Sequence, residues 1–326
     1  MNNPEERSLT FAAAIREGLT AAMSSNDKIV ILGEDISLWG GRHNVTEGLV
    51  RQFGEDRVID TPLVEDMVVG MGIGLALSGY HPIVELGYGA FLTLAIDDIY
   101  RAATWRFRYP GTSSMPLVVR VVVGGYDGRG QEFSADFRSW YQHIPGLTLV
   151  SPATPKDAKG LLFEALASGK PTAFLEDKML YPVRGDVPNE NYRIPIGIAH
   201  ISKNGKDLTI IGCGYMVHLA NAAAQQLADE SIFAEIVDLR TLVPLDIETV
   251  MKSAEKTGRV LVIEHGIARG GIGAEIAMRI HEINRGIAVR RVGAANIPPA
   301  PLIWEHYTLP AVETIIAAAK DLVRQS

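Results

Sequence analysis

An α/β fold of two domains, each built on a doubly wound and mainly parallel sheet, is predicted by three features of the 326-residue sequence. Short β-branched runs alternate with segments of helical periodicity along almost the whole chain. The alternation breaks between Pro182 and Gly197, where prolines, asparagines and charges make an extended stretch, and then restarts. The length accommodates two domains with ample core. These features divide the chain into a domain over 1–185, a linker over 186–203 and a second domain over 204–326.

In chain order, Thr10 to Met23 places apolar residues at helical spacing. Ile29 to Leu32 is a short strand running into Gly33, Glu34 and Asp35. Acids at the carboxyl end of a parallel strand lie where open α/β sheets bind ligands, which makes Glu34 a candidate binding residue. A loop carrying Arg42 and His43 follows, with a helix expected from about Val45. Strands are predicted at Val58–Asp60, His81–Leu86, Pro116–Val123, Leu147–Ser151 and Thr172–Glu176, with a helix over Lys156–Leu166. The β-branched run to Val123 reads as a strand buried on both faces and opens into a long polar loop, from Gly124 to Ser134. In the second domain, strands at Leu208–Gly212, Ala234–Asp238, Val260–Glu264 and Ala288–Val292 alternate with helices, the last over about Leu309–Arg324.

The segment from Asp60 to Gly79 organises the rest. Thr61 and Pro62 supply a cap hydroxyl and a proline suited to a helix start, and Gly79 suits a left-handed stop. Glu65 lies in the first turn of an otherwise apolar helix. It reads either as a solvated acid favoured by the helix dipole or as a carboxyl in an apolar pocket with a raised pKa. Gly70, Gly72 and Gly74 each cost about 1 kcal/mol relative to Ala in a helix interior. Gly70, Gly74 and Ser78 share one face, along which another backbone could approach closely.

A net charge of −7 disfavours nucleic acid and anionic membrane as partners. Hydrophobic content of 47% is high for a soluble chain and points to buried subunit surface. The single cysteine, Cys213, excludes an internal disulfide and fits a reducing compartment. The apolar run from Met67 to Leu77 is far below the ~20 residues of a membrane span, and the N-terminus shows no apolar signal core, so a cytoplasmic location is expected. The strand and glycine-rich turn from Val260 to Gly273 fails the dinucleotide spacing and reads as a packing turn. No Walker motif, no Gly-x-Ser-x-Gly elbow and no metal-ligand pairing of histidines is present; His143, His218 and His265 read as structural.

An ordered set of motifs is more specific. Ile31-Leu-Gly-Glu-Asp35, Val45-Thr-Glu-Gly-Leu49, Asp60-Thr-Pro-Leu-Val-Glu65, Pro82-Ile-Val-Glu85, His143-Ile-Pro-Gly-Leu147, Ser151-Pro-Ala-Thr-Pro155, Asp157-Ala-Lys-Gly160 and Val237 to Asp246 occur in one sequence. Together they resemble the beta subunit of the thiamine-diphosphate-dependent first component of 2-oxo acid dehydrogenase complexes, the pyruvate, branched-chain and acetoin dehydrogenase type. The resemblance implies a transketolase-like pyrimidine-binding domain followed by a transketolase C-terminal domain. It implies that Glu65 contacts the ring nitrogen of the coenzyme's aminopyrimidine, and that sharing a proton there favours the imino tautomer that activates the thiazolium carbon. Gly87 and Phe91 fall where the family packs on the pyrimidine. The chain lacks the Gly-Asp-Gly and later Asn that hold metal and diphosphate. The resemblance assigns that task, with Mg2+, to an alpha subunit in an alpha2-beta2 assembly, and a lipoyl acyltransferase or other carrier protein to the acyl group.

Three departures lie toward the substrate. Phe133, after Glu132, stands before Ser134 where the family carries a loop histidine; His43, next to Arg42, stands where it usually has an aromatic; and Gly87 is smaller than usual. Arg42, His43 or Arg129 could face an anionic or phosphorylated donor. The first reading is therefore a 2-oxo acid dehydrogenase beta subunit. The alternatives are a split transketolase-type enzyme passing a two-carbon ketol unit from a ketose phosphate to a carrier protein, and a non-catalytic scaffold or regulatory subunit.

Overall fold

A computed structural model describes residues 7–111 and 114–324. The residues before Arg7, read above as lacking a signal core, lie outside the described ones. The chain forms two compact units. The first comprises the described residues up to Val123 and Trp140–Ile196; the second comprises Gly124–Ser139 and the described residues from Gly197 onward.

The first unit contains β1 (Arg7–Thr10), β2 (Ile29–Gly33), β3 (Val58–Asp60), β4 (His81–Tyr88), β5 (Val118–Val123), β6 (Thr148–Val150), β7 (Thr172–Asp177) and β8 (Arg184–Val187). Within it, parallel strands run in the order β6-β7-β5-β4-β2-β3. Every residue of β2, β5 and β7 is buried, the mainly apolar runs of strands covered on both faces, with Arg120 in β5 and Glu176 and Asp177 in β7 as buried charges. β1 and β8 pair antiparallel apart from that sheet. The helix Phe11–Ser25 starts on the Thr10 hydroxyl, which accepts from the Ala13 N–H, and packs on the helix Pro155–Ser168.

Two helix starts differ from expectation. The helix after β3 spans Glu65–Leu77 with Val64 at its cap and no side-chain cap bond, rather than starting at Thr61 and Pro62. Thr61 instead donates its N–H to the Gly33 carbonyl at 3.0 Å, which prolongs the sheet edge and delays the helix. The helix expected from Val45 begins at Leu49, because residues Arg42–Asn44 form a 3-10 turn in which His43 has φ 55°. Gly79 ends the Glu65 helix with φ +86°, as its position suggested. Gly72 faces inward: an added Cβ would lie 2.9 Å from both Leu117 and Val84. Gly70 and Gly74 face open space.

The second unit contains β9 (His200–Lys203), β10 (Leu208–Gly212), β11 (Ala234–Asp238), β12 (Thr241–Val243), β13 (Arg259–Ile267) and β14 (Ala288–Ala294). Its sheet runs β14-β13-β10-β11-β9, parallel except for β9. Helices span Tyr215–Asp229, Ile247–Thr257, Ile272–Ile283 and Val312–Arg324. β8 ends at Val187 and β9 occupies His200–Lys203, so strands enter both ends of the stretch read as a linker. The glycine turn after β13 packs on a carboxylate: a Cβ on Gly271 would overlap the buried Glu264 side chain, which accounts for glycine there without a nucleotide. No helix among the described residues is long and apolar enough to cross a membrane.

Candidate active site

The carboxyl ends of β2 and β4 pair, with Gly33 opposite Glu85, and bring the first group of candidate residues together. Glu34 leaves β2 and accepts from Arg42 Nη2 at 2.9 Å. The Arg42 backbone N–H donates to Glu85 Oε1 at 2.8 Å. Gly41, at φ +69°, is required beside it, since a Cβ would lie 2.6 Å from that same oxygen. The Arg42 guanidinium lies 5.6 Å from the Tyr88 ring and covers Gly87, whose Cβ would be 3.5 Å from Nη2. The small residue at 87 is thus matched by a large one at 42. Arg42 Nε is buried without a hydrogen-bond partner among the described residues. His43 stacks on Tyr181 with ring centroids 4.1 Å apart and planes at 16°.

A buried ionic cluster supports this loop from below. Arg120, in the middle of β5, donates through Nε and Nη2 to Glu176 at 2.7 and 2.9 Å, and through Nη1 to Glu85 Oε2 at 2.7 Å. Tyr181 donates to Glu176 Oε2 at 2.7 Å. Burial pushes the Glu85 carboxyl upward, against the pull of Arg120. Burial also opposes the Arg120 charge, but Glu176 and Glu85 outweigh it and hold the guanidinium more firmly protonated than usual. Burial, then Glu176, raises the Tyr181 phenol well above its ordinary range. Of this cluster only Glu85 lay in a sequence motif. The legible signal was Arg120 itself, because a charge inside a β-branched strand needs buried counter-ions.

Glu65 opens its helix, and the helix packs on the turn Phe91–Ala95. Phe91 meets Tyr88 edge-on at 6.5 Å, which ties it to the Arg42 group. The described residues of this unit do not enclose Glu65 in an apolar pocket. Glu65 is half-buried and has no hydrogen-bond or ion-pair partner among the described residues, while Leu63, Val64, Met67 and Met71 are turned to solvent. The remaining candidates, Arg129, Glu132 and Phe133, belong to the second unit. Arg129 pairs with Asp127 at 3.2 Å, and its backbone bridges to Pro301. Among the described residues no group of three or more His, Cys, Asp or Glu could hold a metal ion.

Two units, the first on a parallel sheet and the second on a mainly parallel one, make this a two-domain α/β chain. The family models for the transketolase pyrimidine-binding domain and the transketolase C-terminal domain match residues 7–184 and 197–315. The beta subunit of acetoin:2,6-dichlorophenolindophenol oxidoreductase of Cupriavidus necator is 38% identical, over 98% of this chain and 98% of its own. The pyruvate dehydrogenase E1 beta subunit of Staphylococcus epidermidis and the 2-oxoisovalerate dehydrogenase beta subunit of Bacillus subtilis are each 36% identical, over 96% of this chain and 98% of theirs. A solved structure described as a split-gene transketolase, inactive beta4 tetramer, shares the fold with a TM-score of 0.81 at 22% identity, covering 97% of this chain and 99% of that one. The chain belongs to the family of thiamine-diphosphate-dependent 2-oxo acid dehydrogenase beta subunits.

Proposed function

We propose that this chain is the pyrimidine-binding half of a 2-oxo acid dehydrogenase whose active site is completed by an alpha subunit in an alpha2-beta2 assembly. The observation that carries this is Glu65: a carboxylate without a partner among the described residues, at a helix start flanked by exposed apolar side chains and followed by the open Gly70 and Gly74. The residues present fit the aminopyrimidine end of thiamine diphosphate. Glu65 supplies an oxygen for a ring nitrogen and Phe91 an aromatic edge, while the space beside Gly87 is taken by the Arg42 guanidinium. Bound there, the coenzyme would serve as electron sink for decarboxylation of a 2-oxo acid. Glu65 would hold and release the proton at the ring nitrogen, and the alpha subunit would exclude water from it. Arg42, fixed by Glu34 and Glu85, would face the substrate carboxylate, with His43 beside it. Mg2+ and diphosphate would be held by the alpha subunit, since this sequence lacks the motif for them. The acyl group would pass to a lipoyl acyltransferase or another carrier, in the cytoplasm.

A second reading rests on Phe133 in place of the loop histidine and on the Arg42–His43 pair: transfer of a two-carbon ketol unit from a ketose phosphate to a carrier protein. Co-expression with the alpha subunit followed by assays of 2-oxo acids with an artificial electron acceptor, and of ketose phosphates with an acceptor, separates the two. Turnover of a 2-oxo acid supports the first reading. Turnover of ketose phosphates alone replaces it with the second. An assembled enzyme inert toward both leaves the chain a scaffold.

A further inference from the structure

The loop Gly124–Ser139 departs from β5 yet clusters with the second unit, and the bonds that hold it there are specific. The His265 ring, buried at the end of β13, accepts the Gly125 N–H on Nε2 at 2.8 Å. A nitrogen that accepts leaves the ring proton on Nδ1, which lies 3.4 Å from Asp136 Oδ2. Asp136 is itself in the loop and is fixed by Arg138, whose Nε donates to it at 2.7 Å. Burial works against the Asp136 charge, but Arg138 and His265 prevail and hold its carboxyl below the usual range. The imidazole therefore bonds the loop at Gly125 and lies beside Asp136 near its other end. Between those ends a second buried group acts: Glu305 Oε2 accepts the Gly128 N–H at 2.6 Å, and the Leu302 N–H donates to the Gly128 carbonyl at 2.7 Å. Tyr126 adds a bond from its hydroxyl to the Pro310 carbonyl at 2.7 Å and sets its ring edge-on to His265. The fit is close, since a Cβ on Gly125 would lie 2.6 Å from Leu309 and 2.9 Å from Glu305.

We propose that His265 and Glu305 are positioning residues of the C-terminal domain, which fix the backbone of the loop carrying Arg129, Glu132 and Phe133 and so take part in choosing the substrate. This rests on the reading of that loop as the substrate loop. The acceptor atoms are the functional part: the imidazole Nε2 toward Gly125 and one carboxylate oxygen toward Gly128. Neither residue touches the substrate in this proposal.

The test compares His265→Leu and Glu305→Leu with His265→Gln and Glu305→Gln, which keep an acceptor, all in the co-expressed assembly. Amide hydrogen exchange is read for the peptide containing Gly125 and Gly128, with β10 as internal reference. Loop exchange is expected to rise at least tenfold in both leucine variants and to stay within about threefold in both glutamine variants, with β10 unchanged. The KM for the substrate is expected to rise at least fivefold in the leucine variants while coenzyme affinity is unchanged. Unchanged loop exchange, glutamine variants as loose as leucine ones, or β10 loosened equally would each overturn the local clasp. A loosened loop with unchanged KM would overturn the substrate role of the loop and leave the Glu65 reading standing.

Discussion

Replacing Arg120 by Leu removes the cation that bonds both carboxylates of a buried cluster with a phenol. Arg120 side-chain exposure is 2%, and that of Glu85 and Glu176 is 4% and 0%. Three charge-assisted bonds of 2.7 to 2.9 Å disappear, and Glu85 and Glu176 lose their shared cation without access to water. Breaking one member of a buried ion cluster costs about 3–5 kcal/mol, mostly as the penalty on the charges left behind. At about 2–4 °C per kcal/mol for a domain of this size, the melting temperature is expected to fall by roughly 6–20 °C at neutral pH. The pH dependence identifies the cause. Burial already raises the folded-state pKa of Glu85 above its unfolded value of 4.5, so its contribution favours folding below that value and is lost as pH rises. Without Arg120 this effect grows, and the deficit is expected to shrink as pH is lowered from 8 toward 5. Thermal melts of the wild type, of Arg120→Leu and of the combined Glu85→Gln, Arg120→Met, Glu176→Gln variant give the comparison. The triple variant is expected to recover most of the loss, because no buried charge remains in this cluster. A pH-independent loss, or a single variant as stable as the wild type, would refute the reasoning.

Burial raises the Glu264 carboxyl from 4.5 to about 7, so its contribution to stability is fully present below pH ~4.5 and lost as pH rises through 7. The C-terminal domain should lose up to about 3 kcal/mol across that window, and Glu264→Gln should flatten the curve of stability against pH. Gly74 faces open space, so Gly74→Ala should stabilise the unassembled chain by about 1 kcal/mol in denaturant melts. The bulkier Gly74→Leu should weaken assembly with the alpha subunit, measured by light scattering during gel filtration. Undiminished assembly of that variant would remove this helix face from the interface.

Much of the fold was legible because it is local. Buried strands announce themselves as β-branched runs, and Thr10, Thr154 and Asp246 each cap a helix with a side-chain bond to the N–H three residues on. What the sequence misplaced depended on distant partners. The Thr61-Pro62 pair looks like a helix start, but the Gly33 carbonyl holds it in extended backbone. Gly72 belongs to the core and only Gly70 and Gly74 to the open face, a distinction set by Leu117 and Val84. In the candidate site, Glu34, Arg42, His43 and Gly87 could be named from position and motif. That Arg42 covers Gly87 could not, because it depends on a left-handed turn at Gly41 and His43. The attachment of the loop after β5 to the second unit was invisible. Its anchors, His265 and Glu305, are 140 and 177 residues from the amides they receive.

The measurement closest to the central claim is the rate of Glu65→Gln in the assembled enzyme, using the 2-oxo acid and electron acceptor on which the wild type is active. Glutamine keeps the shape and an acceptor oxygen but cannot exchange a proton at the ring nitrogen. A drop of about 10²–10⁴-fold in kcat is expected, with assembly and melting temperature unchanged. An unaltered kcat in that variant would contradict the assignment of Glu65, and with it the account of this chain as the activating half of a shared site.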